Sequence, residues 1–371
     1  MKKRSNSYWE SRANTRMESY HKDSNEVIHK INAAYDEAIK EINQDINNIF
    51  YQFTRSGDLT LDQTKRMLNQ KIPNPLIKIY KKILPHIGND DIKQWFIARI
   101  NSRAYKARMT RLEAIKESIY ANIKRVADVE VEQSSRLYLN NLNKSYYRNT
   151  YDIQKGIGQI YDFSPLPGSF VEEMLKSRWS GKNYSERIWN NNEVLAAKLE
   201  EVVTSGLMSG KSSRRMAKEL EDMTMYGKFA TERLIRTETT YVTNQGELES
   251  YKAAGIEEYI FLATLDLRTS EQCRVHDNKK YKVSEAVAGE NLPPLHPYCR
   301  STTRAYLEDK KRGPRRARDP LTRDTYLIDN MSYEDWYQKF VVEKYGEQNA
   351  VKFERMIKKG GSSIMKKVLL T

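Results

Sequence analysis

The two cysteines of the chain stand in mirrored pairs with histidine, and this limits the folds open to the C-terminal half more than any other feature. Cys273 and His276 are separated by two residues, His296 and Cys299 by two more, with 19 residues between the pairs. Short pairs on either side of a loop are how a tetrahedral metal site, usually zinc, gathers its ligands. The run Pro293-Pro294-Leu295-His296-Pro297 stiffens the second pair, because proline fixes its own φ and restricts the residue before it. Four protein ligands would close the site, whereas hydrolytic zinc keeps a position open for water, so the pattern favours a structural ion. The competing readings are two small buried hydrophobes or a disulfide. Asp277, beside His276, competes for the fourth ligand place.

The segment around these pairs, Thr264–Tyr306, also carries a resemblance. Its D-x-R-T string (Asp266, Arg268, Thr269), the following Cys, a polar turn with Lys and Tyr, and the P-P-x-H-P-x-C-R run ending at Arg300 are similar to the C-terminal module of the phage head-morphogenesis family, the minor head proteins like phage Mu F. Upstream, Arg236-Thr237-Glu238, an N-x6-Y pattern from Asn244 to Tyr251, and Gly255-Ile256 extend the likeness back to about Ala230. The family often has Asp-Gly where this chain has Asp277-Asn278, and a second Cys where it has Ser301. The resemblance implies a minor head (minor capsid) protein of a tailed bacteriophage, acting in procapsid assembly or in DNA packaging and delivery. Its implied partners are the portal protein, packaged double-stranded DNA, and a scaffold or major capsid protein. Its implied place is inside the phage head, after synthesis in the host bacterial cytoplasm. Asp266, Arg268 and Arg300 are expected to fix the loops that carry the Cys/His pairs through charge-assisted hydrogen bonds. Glu238 is expected as a buried partner for Arg236 or Arg268.

Charge adds an independent clue. Against 49 Asp+Glu the chain carries 63 Lys+Arg, a formal net charge of +14. Neutralising nucleic-acid phosphates is the commonest reason for such an excess, and a merely soluble basic surface is the alternative. Lys310, Lys311, Arg312, Arg315, Arg316 and Arg318 place six of these charges in nine residues around Gly313-Pro314. The tract is too broken for a helix, reads as an exposed basic linker, and is the expected DNA-binding segment. A weaker basic arm (Lys2, Lys3, Arg4, Arg12, Arg16) lies near Tyr8 and Trp9. No run approaches the roughly 18 apolar residues of a membrane span, so no membrane partner is expected.

The fold class expected is α+β, predominantly helical. Ile28, Ile31, Tyr35, Ile39, Ile42, Ile46, Ile49 and Phe53 recur at steps of three and four and predict one long helix with an apolar stripe. Asp91 to about Asn143 repeats the pattern, and Ile72-Pro73-Asn74-Pro75 reads as a connector. Gly156, Gly158, Pro165, Pro167 and Gly168 mark a linker. Helices follow over Phe170–Arg178, Tyr184–Ser205, Ser213–Asp222 and Phe229–Ala254. Short strands are expected over Glu258–Leu265, Lys280–Val283 and Thr302–Leu307. These elements divide the chain into a helical N-terminal domain (1–155), a module of helices and a small sheet with the Cys/His knuckle (170–307), and a basic linker with a short helical tail (308–371).

Three rival functions are weighed. A metal-dependent nuclease needs a general-base His on a hairpin and a second His on a helix, which His296 between two prolines does not offer. An ADP-ribosyltransferase needs a Glu-x-Glu preceded by Ser-Thr-Ser, which the chain lacks. A transcription regulator needs a recognition helix, and none stands out. The chain is therefore expected not to be an enzyme, with the nuclease as the alternative.

Overall fold

Strong three- and four-residue apolar periodicity makes this a helical molecule, 71% helical in the computed structural model. The structure describes residues 6–55, 60–102, 108–157, 161–307, 315–329 and 331–358. In chain order the helices are α1 (Asn6–Arg55), α2 (Leu61–Leu68), α3 (Leu76–Ile83), α4 (Asp90–Asn101), α5 (Arg111–Ile157), α6 (Gly168–Lys176), α7 (Tyr184–Met208), α8 (Ser213–Ala253) and α9 (Glu271–His276). The short helices α10 (Tyr333–Tyr337), α11 (Glu343–Tyr345) and α12 (Glu347–Lys358) follow. The strands are β1 (Lys71–Pro73), β2 (Arg108–Thr110), β3 (Glu258–Leu262), β4 (Lys280–Lys282), β5 (Thr302–Ala305), β6 (Arg315–Arg318) and β7 (Thr325–Ile328). The expected α+β class, helices dominant, holds.

Packing sorts the chain into two compact units that do not follow chain order. One gathers Met1–Ser24, Leu137–Gly181 and Ile235–Thr371, the other Asn25–Arg136 and Lys182–Leu234. The expected boundaries near 155 and 170 both fall within the first of these.

In the second unit the α1 stripe is buried along Ile28, Ile31, Tyr35, Ile39, Ile42, Ile46 and Ile49. A satellite cluster joins Leu76, Tyr80, Ile87, Ile92, Phe96 and Ala121. The expected connector at Ile72-Pro73 is instead a strand: β1 pairs antiparallel with β2, with Ile72 opposite Met109. Proline is tolerated because it ends the strand.

In the first unit β3 is the central strand of an antiparallel β4-β3-β5 sheet. Its residues Tyr259, Ile260, Phe261 and Leu262 are all buried, so the strand is covered on both faces and does not alternate. The start of α1 covers one face, with Ala13 against Ile260 and Leu262. Two buried ion pairs tie it there. Glu10 accepts from Arg304 of β5 at 3.0 Å. Arg16 reaches Asp152 of α5 and, at 3.1 Å, Glu247 of α8.

Two sequence expectations are corrected here. α8 runs unbroken from Ser213 to Ala253, so the gap expected at 223–228 is helical, Gly227 included. The basic tract is not an exposed linker where it is described. Arg315–Arg318 form β6, paired antiparallel with β7, and the strand buries Arg315 and Ala317. The hairpin packs with Leu265, Leu267, Tyr333, Trp336, Val341, Ala350 and Phe353 into one core. Lys310, Lys311 and Arg312 lie outside the described residues.

Candidate metal centre and its helical cradle

Ser270 caps α9 by accepting the Cys273 N–H, which sets Cys273 on the buried side of a helix of less than two turns. The proline-rich return brings His296 and Cys299 to it. Cys273 Sγ lies 3.3 Å from His296 Nε2 and 3.6 Å from Cys299 Sγ. The three donor atoms fall within 4.8 Å of one another, close enough to hold one metal ion. His296 Nδ1 lies 2.7 Å from the Pro297 carbonyl, to which it can donate only as Nδ1–H. That leaves the Nε2 lone pair facing the sulfurs, the arrangement by which an outer hydrogen bond fixes a ligand tautomer. Phe261, Ala263 and Leu295 wall the two sulfurs. Burial alone would raise the Cys299 thiol, but the Cys273 thiol and the His296 ring override it and hold Cys299 well below the ordinary thiol range. Two thiols and an imidazole are a donor set that suits zinc.

His276 stands outside this donor group. Its Nδ1 lies 2.7 Å from the Tyr281 hydroxyl and its ring packs on Phe261, while the chain turns away at Asp277. Asp277 is not available either. Both of its oxygens face Arg315, at 2.6 and 2.8 Å, and it accepts the backbone N–H groups of Ala263 and Tyr333. Arg315, expected to bind DNA, is thereby a buried structural residue, 1% exposed. Arg316 pairs with Glu18 at 3.0 Å at the surface.

The D-x-R-T loop is built around one carboxylate. Arg300 forks onto Asp266 at 2.6 and 2.7 Å, and the Arg268 N–H donates to it at 2.9 Å. Burial works against the Asp266 charge, yet Arg300, helped by Arg268, holds the group down at about 2. The Arg268 guanidinium is 3.6 Å from the same carboxylate. Asp266, Arg268 and Arg300 thus meet at one point of the loop. Glu238 accepts the Trp179 indole N–H at 3.1 and 3.3 Å, a contact that the sequence did not suggest.

A polar stripe on α8 holds the return strand residue by residue. The Tyr298 N–H donates to Thr237 Oγ1 at 3.1 Å, and Thr240 Oγ1 donates to the Cys299 carbonyl at 2.6 Å. Asn244 Nδ2 reaches the Ser301 carbonyl at 3.5 Å. Thr302 donates to Glu247 at 3.2 Å, and the Tyr251 hydroxyl lies 3.0 Å from Thr303 Oγ1. Positions 237, 240, 244, 247 and 251 advance by three and four, so they share one helix face opposite the stretch from Tyr298 to Thr303. α5 comes close behind this helix. A Cβ on Gly246 would lie 2.1 Å from Ser145 Oγ and 2.7 Å from the Leu142 carbonyl oxygen.

This helix, sheet and knuckle coincide with the span that comparison identifies. Residues 197–304 match the family described as phage Mu protein F like protein, which shows the resemblance over that span. A curated relative, the NAD(+)--arginine ADP-ribosyltransferase EFV of Enterococcus faecalis (strain ATCC 700802 / V583), is 23% identical over 293 residues. The match covers 72% of this chain and 57% of that protein, so the chain spans little more than half the length of this relative. No solved structure gives a significant match. The family is one of bacteriophage head proteins and suggests a place in the virion. Among the described residues no helix is long and apolar enough to cross a membrane.

Proposed function

We propose that the chain is a minor head protein of a tailed bacteriophage, carried in the virion near the portal and serving particle assembly or genome delivery as a structural and binding component. The match of residues 197–304 to the phage Mu F-like family carries the proposal. The portal, a scaffold or capsid surface, and packaged DNA are its proposed partners, the last supported by the net charge of +14. Zinc at Cys273, His296 and Cys299 is proposed as a structural ion that pins the proline-rich return to α9. Three protein ligands leave the fourth position open, so the structural role rests on the burial of both sulfurs and on a donor group that contains no Asp or Glu to serve as general base.

In this reading the chain is not an enzyme. The transferase activity in the name of the Enterococcus relative stays with that protein, because Glu238 is occupied by Trp179 here and no Ser-Thr-Ser precedes a Glu-x-Glu.

Purified particles of the producing phage should contain the chain in fewer copies than the capsid subunit, and the isolated chain should hold about one zinc by elemental analysis. Cys299→Ser should lose the metal and lower Tm. His276→Ala should keep it, since His276 faces Tyr281. Absence of the chain from DNA-filled particles sinks the virion assignment. Metal-free protein whose melting is indifferent to chelator sinks the zinc.

A further inference from the structure

The surface beside the Asp266 loop carries more positive charge than its own fold uses. Arg268 is exposed and shares its one carboxylate, Asp266, with Arg300, whose fork already occupies both oxygens. Two further arginines arrive from the β6–β7 hairpin. The Arg318 N–H donates to the Leu265 carbonyl at 3.0 Å, and Ala317 bridges Leu265, so the end of β6 is stitched to the residue preceding Asp266. Arg323 sits in the turn after it, where its N–H donates to the Asp319 carbonyl at 3.1 Å and Asp319 Oδ1 accepts the Leu321 and Thr322 N–H groups at 2.9 Å. The Asp319 carboxylate is otherwise taken by Lys344 and Tyr345. Among the described residues neither Arg318 nor Arg323 makes an ion pair, and both are only half-buried. Although part of its side chain is exposed, the neighbouring loop desolvates the Arg268 guanidinium and holds it low, at about 10, with the charges of Arg300, Arg318 and Arg323 adding to this and Asp266 partly offsetting it. The bonds that join the end of β6 to Leu265 thus bring Arg318, and the turn that follows brings Arg323, to the side of the Asp266 loop that carries Arg268.

Such a cluster lacks counter-charge by design of its fold, not by accident of a mobile tail, because backbone hydrogen bonds fix both carriers. Guanidinium forks match the oxygens of a phosphate pair by pair, and several at one place suit an extended polyanion better than a single small anion. We propose that Arg268, Arg318 and Arg323 form a binding site for the phosphodiester backbone of double-stranded DNA, held in place by the Arg300–Asp266 pair. The site lies on the ordered hairpin and the D-x-R-T loop, and of the expected basic tract only Arg318 takes part. It reads phosphate and not base sequence. The assignment rests on the reading of a particle protein that lies against packaged DNA.

The test is fluorescence anisotropy of the full chain with a labelled random-sequence duplex across a salt series. Wild type should bind at low salt, with affinity falling steeply as salt rises. The triple variant Arg268→Gln/Arg318→Gln/Arg323→Gln should flatten the slope of log affinity against log salt by up to about 2.7, and each single variant by about 0.9. The corresponding lysine triple should keep most of the slope but bind more weakly, because an ammonium cannot make the two-pronged contact. The single variants Arg318→Gln and Arg323→Gln break no ion pair, so their Tm should match wild type and a lost slope cannot be laid to misfolding. A wild-type slope in the glutamine variants overturns the site while leaving DNA binding to another surface. A wild-type chain that ignores duplex DNA at low salt overturns the DNA reading as well. Displacement of bound DNA by polyglutamate at equal charge, with the same loss in the variants, hands the patch to an acidic protein and overturns the nucleic-acid assignment.

Discussion

Asp277 and Glu130 are both carboxyl groups cut off from water, and the two compact units deal with them in opposite ways. Asp277, in the unit that carries the knuckle, is fully partnered: the Arg315 fork and two backbone N–H groups use both oxygens. Glu130, in the other unit, has only neutral neighbours. Asn192 donates to it at 3.1 Å and Tyr35 at 3.4 Å, and its second oxygen has no hydrogen-bond partner. Burial therefore pushes Glu130 up to about 7, against the weaker pull of Asn192, Thr231 and Tyr35. A buried charge is tolerated when its partner is buried with it, and otherwise gives way to the neutral acid. The first solution locks distant segments together, since Asp277 binds the end of β3, strand β6 and the start of α10 at one point. The second only fills a core position, and leaves it responsive to pH.

The largest effect expected from breaking this contrast belongs to Asp277→Ala. It strands the Arg315 guanidinium in the core and should cost about 3–5 kcal/mol, as removal of one partner of a buried pair does. Urea melts would show it, and a loss below about 1 kcal/mol would mean that Arg315 finds water or another acceptor. Arg316→Ala on the same strand is the control. Its pair with Glu18 is partly exposed and should contribute less than about 1 kcal/mol.

A smaller and pH-dependent effect is expected at Glu130. Its pKa in the fold, about 7, lies above the ordinary 4.5, so the folded chain holds a proton that the unfolded chain releases. The stability this provides is complete below pH 4.5 and is lost as pH rises through about 7, a change of about 3 kcal/mol. Glu130→Gln imitates the neutral acid and should remove that decline, leaving the variant more stable than wild type at pH 8 and nearly equal to it at pH 4. An identical difference between the two proteins at both pH values would mean that Glu130 titrates alike in the folded and unfolded chain.

Much of this molecule was legible from local pattern. The α1 stripe, the helix over α7, the three strands around the knuckle, and the convergence of Cys273, His296 and Cys299 all follow from periodicity or spacing that a sequence displays directly. The failures share a cause. His276 has the ligand spacing but turns to Tyr281, and Arg315 belongs to a basic run but is buried against Asp277. The stripe Thr237, Thr240, Asn244, Glu247 and Tyr251 has helical spacing too, yet a polar stripe on a helix ordinarily faces water. Nothing local says that this one faces the stretch 298–303.

By itself the sequence determined the helices, the small sheet, the donor atoms at the knuckle and the excess of positive charge, because each depends on neighbours within one or two turns of chain. Only the tertiary structure decided which charges are used up. Glu10 meets Arg304 across 294 residues, Arg16 meets Glu247 across 231, and Asp277 meets Arg315 across 38. Coulomb attraction and desolvation act over ångströms in space, and the sequence records only the order of the charges along the chain.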